Sequence, residues 1–140
     1  MLSISQTTDE ERPLVVNGVT IMCKPALSVT AIANDRAEYM EKNGIAPETY
    51  VDMSEEQKRV ITGRILHRHY VTNISDFDVK DKDGKVIESF KHTQPSQHEA
   101  YETQGEQVLC TDIGVQESII GFVTRDVNFK NGNEIVVAGN

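Results

Sequence analysis

The chain has 140 residues, 38% of them hydrophobic, 26% charged and 6% aromatic with no Trp, enough for one modest core, too few residues for two ordinary domains, and outside the composition of disordered chains. Lys and Arg number 14 against 22 Asp and Glu, a net charge of -8, which excludes the basic footprint that direct binding to a nucleic-acid backbone requires. There is no run of 18 apolar residues, and the start Met1–Gln6 carries neither a basic region nor an apolar stretch, so neither a membrane span nor a secretory signal is expected.

In chain order, Thr7–Pro13 is polar, charged and closed by proline, and residues 1–13 read as a flexible N-terminal arm. Residues 14–140 read as a single domain. Leu14 to Met22 places Asn17-Gly18 between β-branched runs, and that pair suits the positive φ angles of a type I′ hairpin turn. Pro25 ends the second strand because it has no N–H to donate. Ser28 is placed to cap a helix from about Val29 to Lys42, with Val29, Ile32, Arg36, Tyr39 and Met40 at helical spacing and Asn43-Gly44 as the stop.

Ser54 and Gln57 have capping-box spacing, which predicts a second helix from Glu55. Its apolar face is Ile61, Ile65 and either Arg68 or His69, flanked by Val60 and Leu66, and its end blends into the strand-favouring Tyr70-Val71-Thr72. Asp76 to Phe90 alternates on both sides of Asp83-Gly84, a second hairpin with Phe77 and Val79 on one face. Lys91 to Gln107 is polar and Gln-rich and reads as a long loop, with a helical turn capped by Ser96 and running through Tyr101. From Val108 to Ala138 the period fits a helix, yet Gly114, Gly121 and the β-branched content favour strands, with a third hairpin at Asn131-Gly132. The expected fold is therefore α+β, a mostly antiparallel sheet built from hairpins with two helices packed on one side.

The usual chemical motifs are missing. There is no G-x-x-x-x-G-K-[ST], no G-x-G-x-x-G and no G-x-S-x-G in the sequence, so neither a phosphate-cradling loop nor a nucleophile elbow is expected. Cys23 and Cys110 sit in apolar contexts with no neighbour that would lower their pKa, and read as small buried side chains rather than a disulfide. The acids Asp76, Asp78, Asp81 and Asp83 before Gly84 fail the calcium-loop register. With Gly84 sixth, Val79 stands first and Phe90 twelfth, where the loop needs carboxylates. Those acids read as turn caps.

His67 and His69, with His92 and His98, invite a metal reading, but on a helix the two residues of H-x-H diverge by about 200° and cannot share one ion. No metal or other cofactor is expected. With Arg59, Arg64 and Arg68 these histidines instead make the one basic stretch of an acidic molecule, either an ordinary solvated helix face or a positive patch for a negatively charged surface of a partner.

The stretch Arg59-Val-Ile-Thr-Gly-Arg-Ile-Leu-His-Arg-His-Tyr-Val-Thr-Asn-Ile-Ser, followed by Asp81-Lys-Asp-Gly-Lys-Val-Ile, resembles small tail-assembly and structural proteins of long-tailed bacteriophages, including the tail assembly chaperones. The shared pattern is a helix, a short extended link and an acidic D-x-D-G turn. The resemblance implies a virion component in the virion or the host cytoplasm, with other protein subunits as partners and no catalytic residues.

The leading expectation is a non-enzymatic assembly or interaction protein, a homo-oligomer or a neighbour of other virion subunits, with Arg59, Arg64, Arg68, His67, His69 and Tyr101 as contact residues. Two alternatives stand beside it. One is an acidic inhibitor that occludes a nucleic-acid-binding site on a host protein. The other is a small enzyme with His67 or His69 and an acid near Asp76.

Overall fold

The computed structural model describes residues 11–26, 30–91, 104–129 and 136–137. Strands β1 (Arg12–Val16) and β2 (Val19–Cys23) form the first hairpin, with Leu14 opposite Ile21. Asn17 at φ 51° and Gly18 at φ 82° supply the two left-handed residues between them, which is the reason an Asn-Gly pair starts this turn. Strand β3 (Val71–Ser75) pairs antiparallel with β2, Ile74 opposite Ile21. Strand β6 (Val136–Val137) lies parallel to β1, with Val136 opposite Leu14. The sheet order is β3-β2-β1-β6.

A second, two-stranded sheet is made by β4 (Phe77–Lys80) and β5 (Val86–Phe90). Asp76, at φ 63°, turns the chain from β3 into β4, and its carboxylate accepts a hydrogen bond of 2.5 Å from the Thr20 hydroxyl. The root of this hairpin is anchored by Phe77 and Phe90, whose rings stack 4.8 Å apart. Phe77 is buried and Val79 half-buried, so the expected face is the inward one.

Helices α1 (Ala31–Lys42), α2 (Pro47–Val51), α3 (Glu55–His69), α4 (Glu106–Thr111) and α5 (Ile113–Val123) precede a 3-10 turn, Asp126–Phe129. The N-terminus of α3 carries the full capping box. The Gln57 N–H donates to Ser54 Oγ at 3.1 Å and the Ser54 N–H donates to Gln57 Oε1 at 2.9 Å, and Glu55 and Glu56 sit at the positive end of the helix dipole. At the other end the Tyr70 hydroxyl donates to the Asp35 carboxylate on α1, and the Tyr70 carbonyl accepts from the Lys24 N–H at 2.8 Å. These bonds fasten the exit of α3 to both α1 and the end of β2.

Along β1 and β2, Leu14, Val16, Ile21 and Cys23 are buried while their neighbours are not, so one face of the sheet takes the helices. The core joins these residues and Ile74 to Leu66 of α3, Leu109 of α4, Val115, Ile119, Phe122 and Val123 of α5, and Phe129. The fold is α+β with a mostly antiparallel sheet.

The C-terminal part differs from expectation. Residues 108–111 and 113–123 are helical, not stranded. Val115, Ile119, Phe122 and Val123 recur at i, i+4, i+7 and i+8 and all are buried, so placing that stripe on the sheet outweighs the strand preference of its β-branched residues. Gly114 and Gly121 cost some helix propensity without breaking it, and the Asp112 side chain caps the start by accepting from the Val115 N–H at 3.1 Å. The third hairpin also fails. Its first half holds α5 and the 3-10 turn, and β6 pairs in parallel with β1 instead of folding back on a neighbour.

Smaller corrections follow the same logic. Arg12 and Pro13 belong to β1, where Pro13 sits opposite Met22, so they are strand rather than arm. Helix α1 starts at Ala31 with Thr30 at its N-cap, and the expected start at Ser28 and Val29 lies outside the described residues. Glu106 and Gln107, expected in the polar loop, open α4.

Candidate functional site

Helix α3 and helix α4 cross unusually closely, and the crossing is built on one glycine. A Cβ on Gly63 would lie 2.5 Å from the Cys110 Cα and 2.6 Å from the Leu109 carbonyl oxygen, far inside van der Waals contact, so only glycine admits the backbone of α4 here. The buried Gln116 of α5 ties the same junction together, its amide donating to the Arg59 carbonyl at 2.8 Å and to the Leu109 carbonyl at 2.6 Å. The Cys110 thiol donates to the Val60 carbonyl at 3.5 Å. Each partner is a helix carbonyl, so polar groups that would otherwise be buried unpaired are satisfied by the neighbouring helix.

This packing brings Glu106 of α4 to the exposed flank of α3. Together with Tyr39 of α1 and Val71 and Thr72 of β3, it meets Arg64, His67 and Arg68 around an open groove of about 520 Å³. Arg64 Nη1 donates to the Tyr39 hydroxyl at 3.0 Å and Arg64 Nε stands 3.7 Å from Glu106 Oε1. His67 Nδ1 lies 3.4 Å from Glu106 Oε2, its side chain only 9% exposed. At the rim, the Thr72 hydroxyl donates to the Glu11 carboxylate. The Tyr39 hydroxyl, with a smaller contribution from Glu106, holds the Arg64 guanidinium above its ordinary pKa, so the groove keeps a fixed positive charge.

Arg68 is different. It is exposed, and among the described residues it forms no hydrogen bond or ion pair; Glu38 of α1, an acid within its electrostatic reach, is held by Lys42 at 2.6 Å. That Lys42 bond, with smaller effects of His69 and Arg68, lowers the Glu38 pKa. Among the described residues the groove therefore presents two arginines and one histidine against a single resident carboxylate, with Glu11 at its edge.

The expected contact residues separate accordingly. Arg64, His67 and Arg68 share the groove. Arg59 does not line it; its carbonyl is buried under Gln116. His69 is exposed on another side of α3, as the helical geometry of H-x-H requires. Tyr101, His92 and His98 lie outside the described residues. Tyr39, Thr72 and Glu106 were missed as site residues. Tyr39 read as part of the α1 stripe and Glu106 as loop, and no sequence spacing links them to Arg64.

The two thiols are not poised for chemistry. Both are free and buried. Burial pushes the Cys23 thiol up to about 12, and burial followed by the Glu106 charge raises that of Cys110, the opposite of what an activated nucleophile needs. Asp76 is bonded to Thr20 at the corner between the two sheets, and the acid that faces His67 is Glu106 instead. Among the described residues no group of three His, Cys, Asp or Glu side chains could hold a metal ion, and no helix is long and apolar enough to cross a membrane. Fold and site together define an α+β domain with a cationic groove on an acidic surface. Comparison with family models, with curated proteins and with solved structures returns no match.

Proposed function

We propose that the protein is a non-enzymatic assembly or interaction protein that works through contacts with other protein subunits, its own copies included. The observation that carries this reading is the β4–β5 hairpin. It forms a sheet of its own, both outer edges are unpaired among the described residues, and its second strand exposes two adjacent apolar side chains, Val86 at 45% and Ile87 at 64%. A two-stranded sheet is barely stable alone, and an apolar edge of this kind is a template for strand addition by another chain. The raised thiol pKa values and the mutual pairing of Arg64, His67 and Glu106 support a surface that binds over one that reacts.

The resemblance of residues 59–75 and 81–87 to small tail-assembly and structural proteins of long-tailed bacteriophages supports placing these contacts in a virion or tail, with the virion or host cytoplasm as the location. Light scattering across a concentration series tests the core of the proposal. The expected result is a mass above 15.6 kDa that rises with concentration and falls back to that of one chain in Ile87→Asp. A strict monomer at every concentration, unaltered by Ile87→Asp, would overturn self-association through this edge.

A further inference from the structure

We infer that the groove between α3, α4 and β3 is a docking site for an acidic peptide segment of a partner protein, one carrying carboxylates that reach Arg68 and Arg64 together. The inference rests on the reading of the chain as an interaction protein and names the chemistry of one partner surface.

Three observations converge on carboxylates. The groove already coordinates them from its own chain: Glu106 lies between Arg64 Nε and His67 Nδ1, and Glu11 accepts from Thr72 at the rim. Arg68 supplies an exposed guanidinium with no ion-pair partner among the described residues, on a wall shared with those groups. Arg64 uses Nη1 on Tyr39 and directs Nε toward Glu106 at 3.7 Å, a loose contact that an incoming carboxylate at hydrogen-bond distance improves on, since charge-assisted bonds are strongest near 2.8 Å. The half-buried Tyr39 ring gives the same wall apolar surface for the stem of an incoming Glu or Asp.

The size of the site decides against the other common polyanion. A nucleic-acid backbone needs an extended basic track, whereas this strip holds two arginines on a molecule of net charge -8, whose field repels a long polyanion. A short segment with two or three carboxylates is compatible with that field, because screening at physiological salt confines the interaction to about 8 Å.

The test is a titration of the full chain, isotope-labelled for NMR, with a capped tetraglutamate peptide and with tetraglutamine as control. Tetraglutamate is expected to shift the Arg64 and Arg68 side-chain Nε–H signals and the backbone signals of His67, Thr72 and Glu106 saturably, and tetraglutamine to leave them in place. Arg68→Gln, a change at an exposed residue outside the core, is expected to weaken binding about tenfold, the factor that corresponds to about 1.4 kcal/mol. Raising the salt concentration weakens binding further.

The absence of saturable shifts in the groove, or binding unaltered by Arg68→Gln, would overturn the inference. So would binding seen only after Asp9→Asn and Glu10→Gln, which assigns the groove to the acidic residues that precede Glu11 in this same chain. The titration reads the groove and the scattering series reads the β5 edge, so one proposal can fail while the other stands.

Discussion

Gly63 is the residue on which the groove depends. Its hydrogen is the only substituent that fits against the backbone of Leu109 and Cys110. Gly63→Ala gains helix propensity, about 1 kcal/mol in an open helix, yet here it forces two helices apart, and overpacking costs about 1–3 kcal/mol. The expected outcome is a net loss of stability in urea unfolding. Gly121, by contrast, has open space where its Cβ would stand, so Gly121→Ala is expected to stabilise α5 and serves as the matched control.

Cys23 carries a pH prediction at the same scale. Its thiol is pushed up to about 12 by burial, while the unfolded chain returns it to the ordinary value of 9.0. The folded state therefore holds its proton more tightly than the unfolded state does. That contribution is complete below pH 9 and is lost as pH rises toward 12. Tyr70 adds to the same trend, because burial and its bond to Asp35 raise its pKa as well. Stability measured by urea unfolding is expected to fall steeply above pH 9, and Cys23→Ala, whatever its cost at pH 7, is expected to flatten that slope; an unchanged slope would remove Cys23 as its source.

At the scale of elements, α3 shows how far local rules carry. Its capping box, its acidic first turn and its buried Ile61 and Ile65 were all legible, because each depends on residues within one or two turns of one another. Ser54→Ala removes the side-chain acceptor for the Gln57 N–H and is expected to cost about 1 kcal/mol, read as a lower urea midpoint with an unchanged denaturant slope. The two hairpins at Asn17-Gly18 and Asp83-Gly84 were legible for the same reason, the first through its paired positive φ angles, the second through Gly84 at φ 81°. Helix α5 was not. Its alternatives are separated by the burial of one stripe against a sheet assembled from residues a hundred positions earlier, and no local rule weighs that burial against strand propensity.

At the scale of the whole molecule, the main sheet closes on a long-range parallel contact between β1 and β6. Deleting residues 130–140 removes β6 and leaves the β1 backbone at Leu14 and Val15 as an unpaired edge beside a buried core. The expected outcome is a lower melting temperature together with concentration-dependent association, since an uncovered edge invites pairing with another chain; a truncated chain as stable and as dispersed as the full one would show β6 to be dispensable. The net charge of -8 acts at this scale too. It repels other copies at long range, so the self-association proposed above would have to come from a local patch such as Ile87.

The basic stretch of α3 illustrates the division between sequence and fold. That Arg64, His67 and Arg68 belong to one charged helical run was readable from the chain alone, as were the α+β class, two hairpins, the capped start of α3 and the unreactive setting of both cysteines. Each of these is governed by backbone preference, periodicity or composition over a few neighbouring residues. Which of the charged side chains would face a groove, that Glu106 and Tyr39 would meet them there, and that residues 106–111 and 113–123 would turn helical were settled only by packing. Those outcomes depend on how closely α4 approaches Gly63 and on which surfaces the sheet leaves to be covered, quantities that exist only once distant segments are in contact.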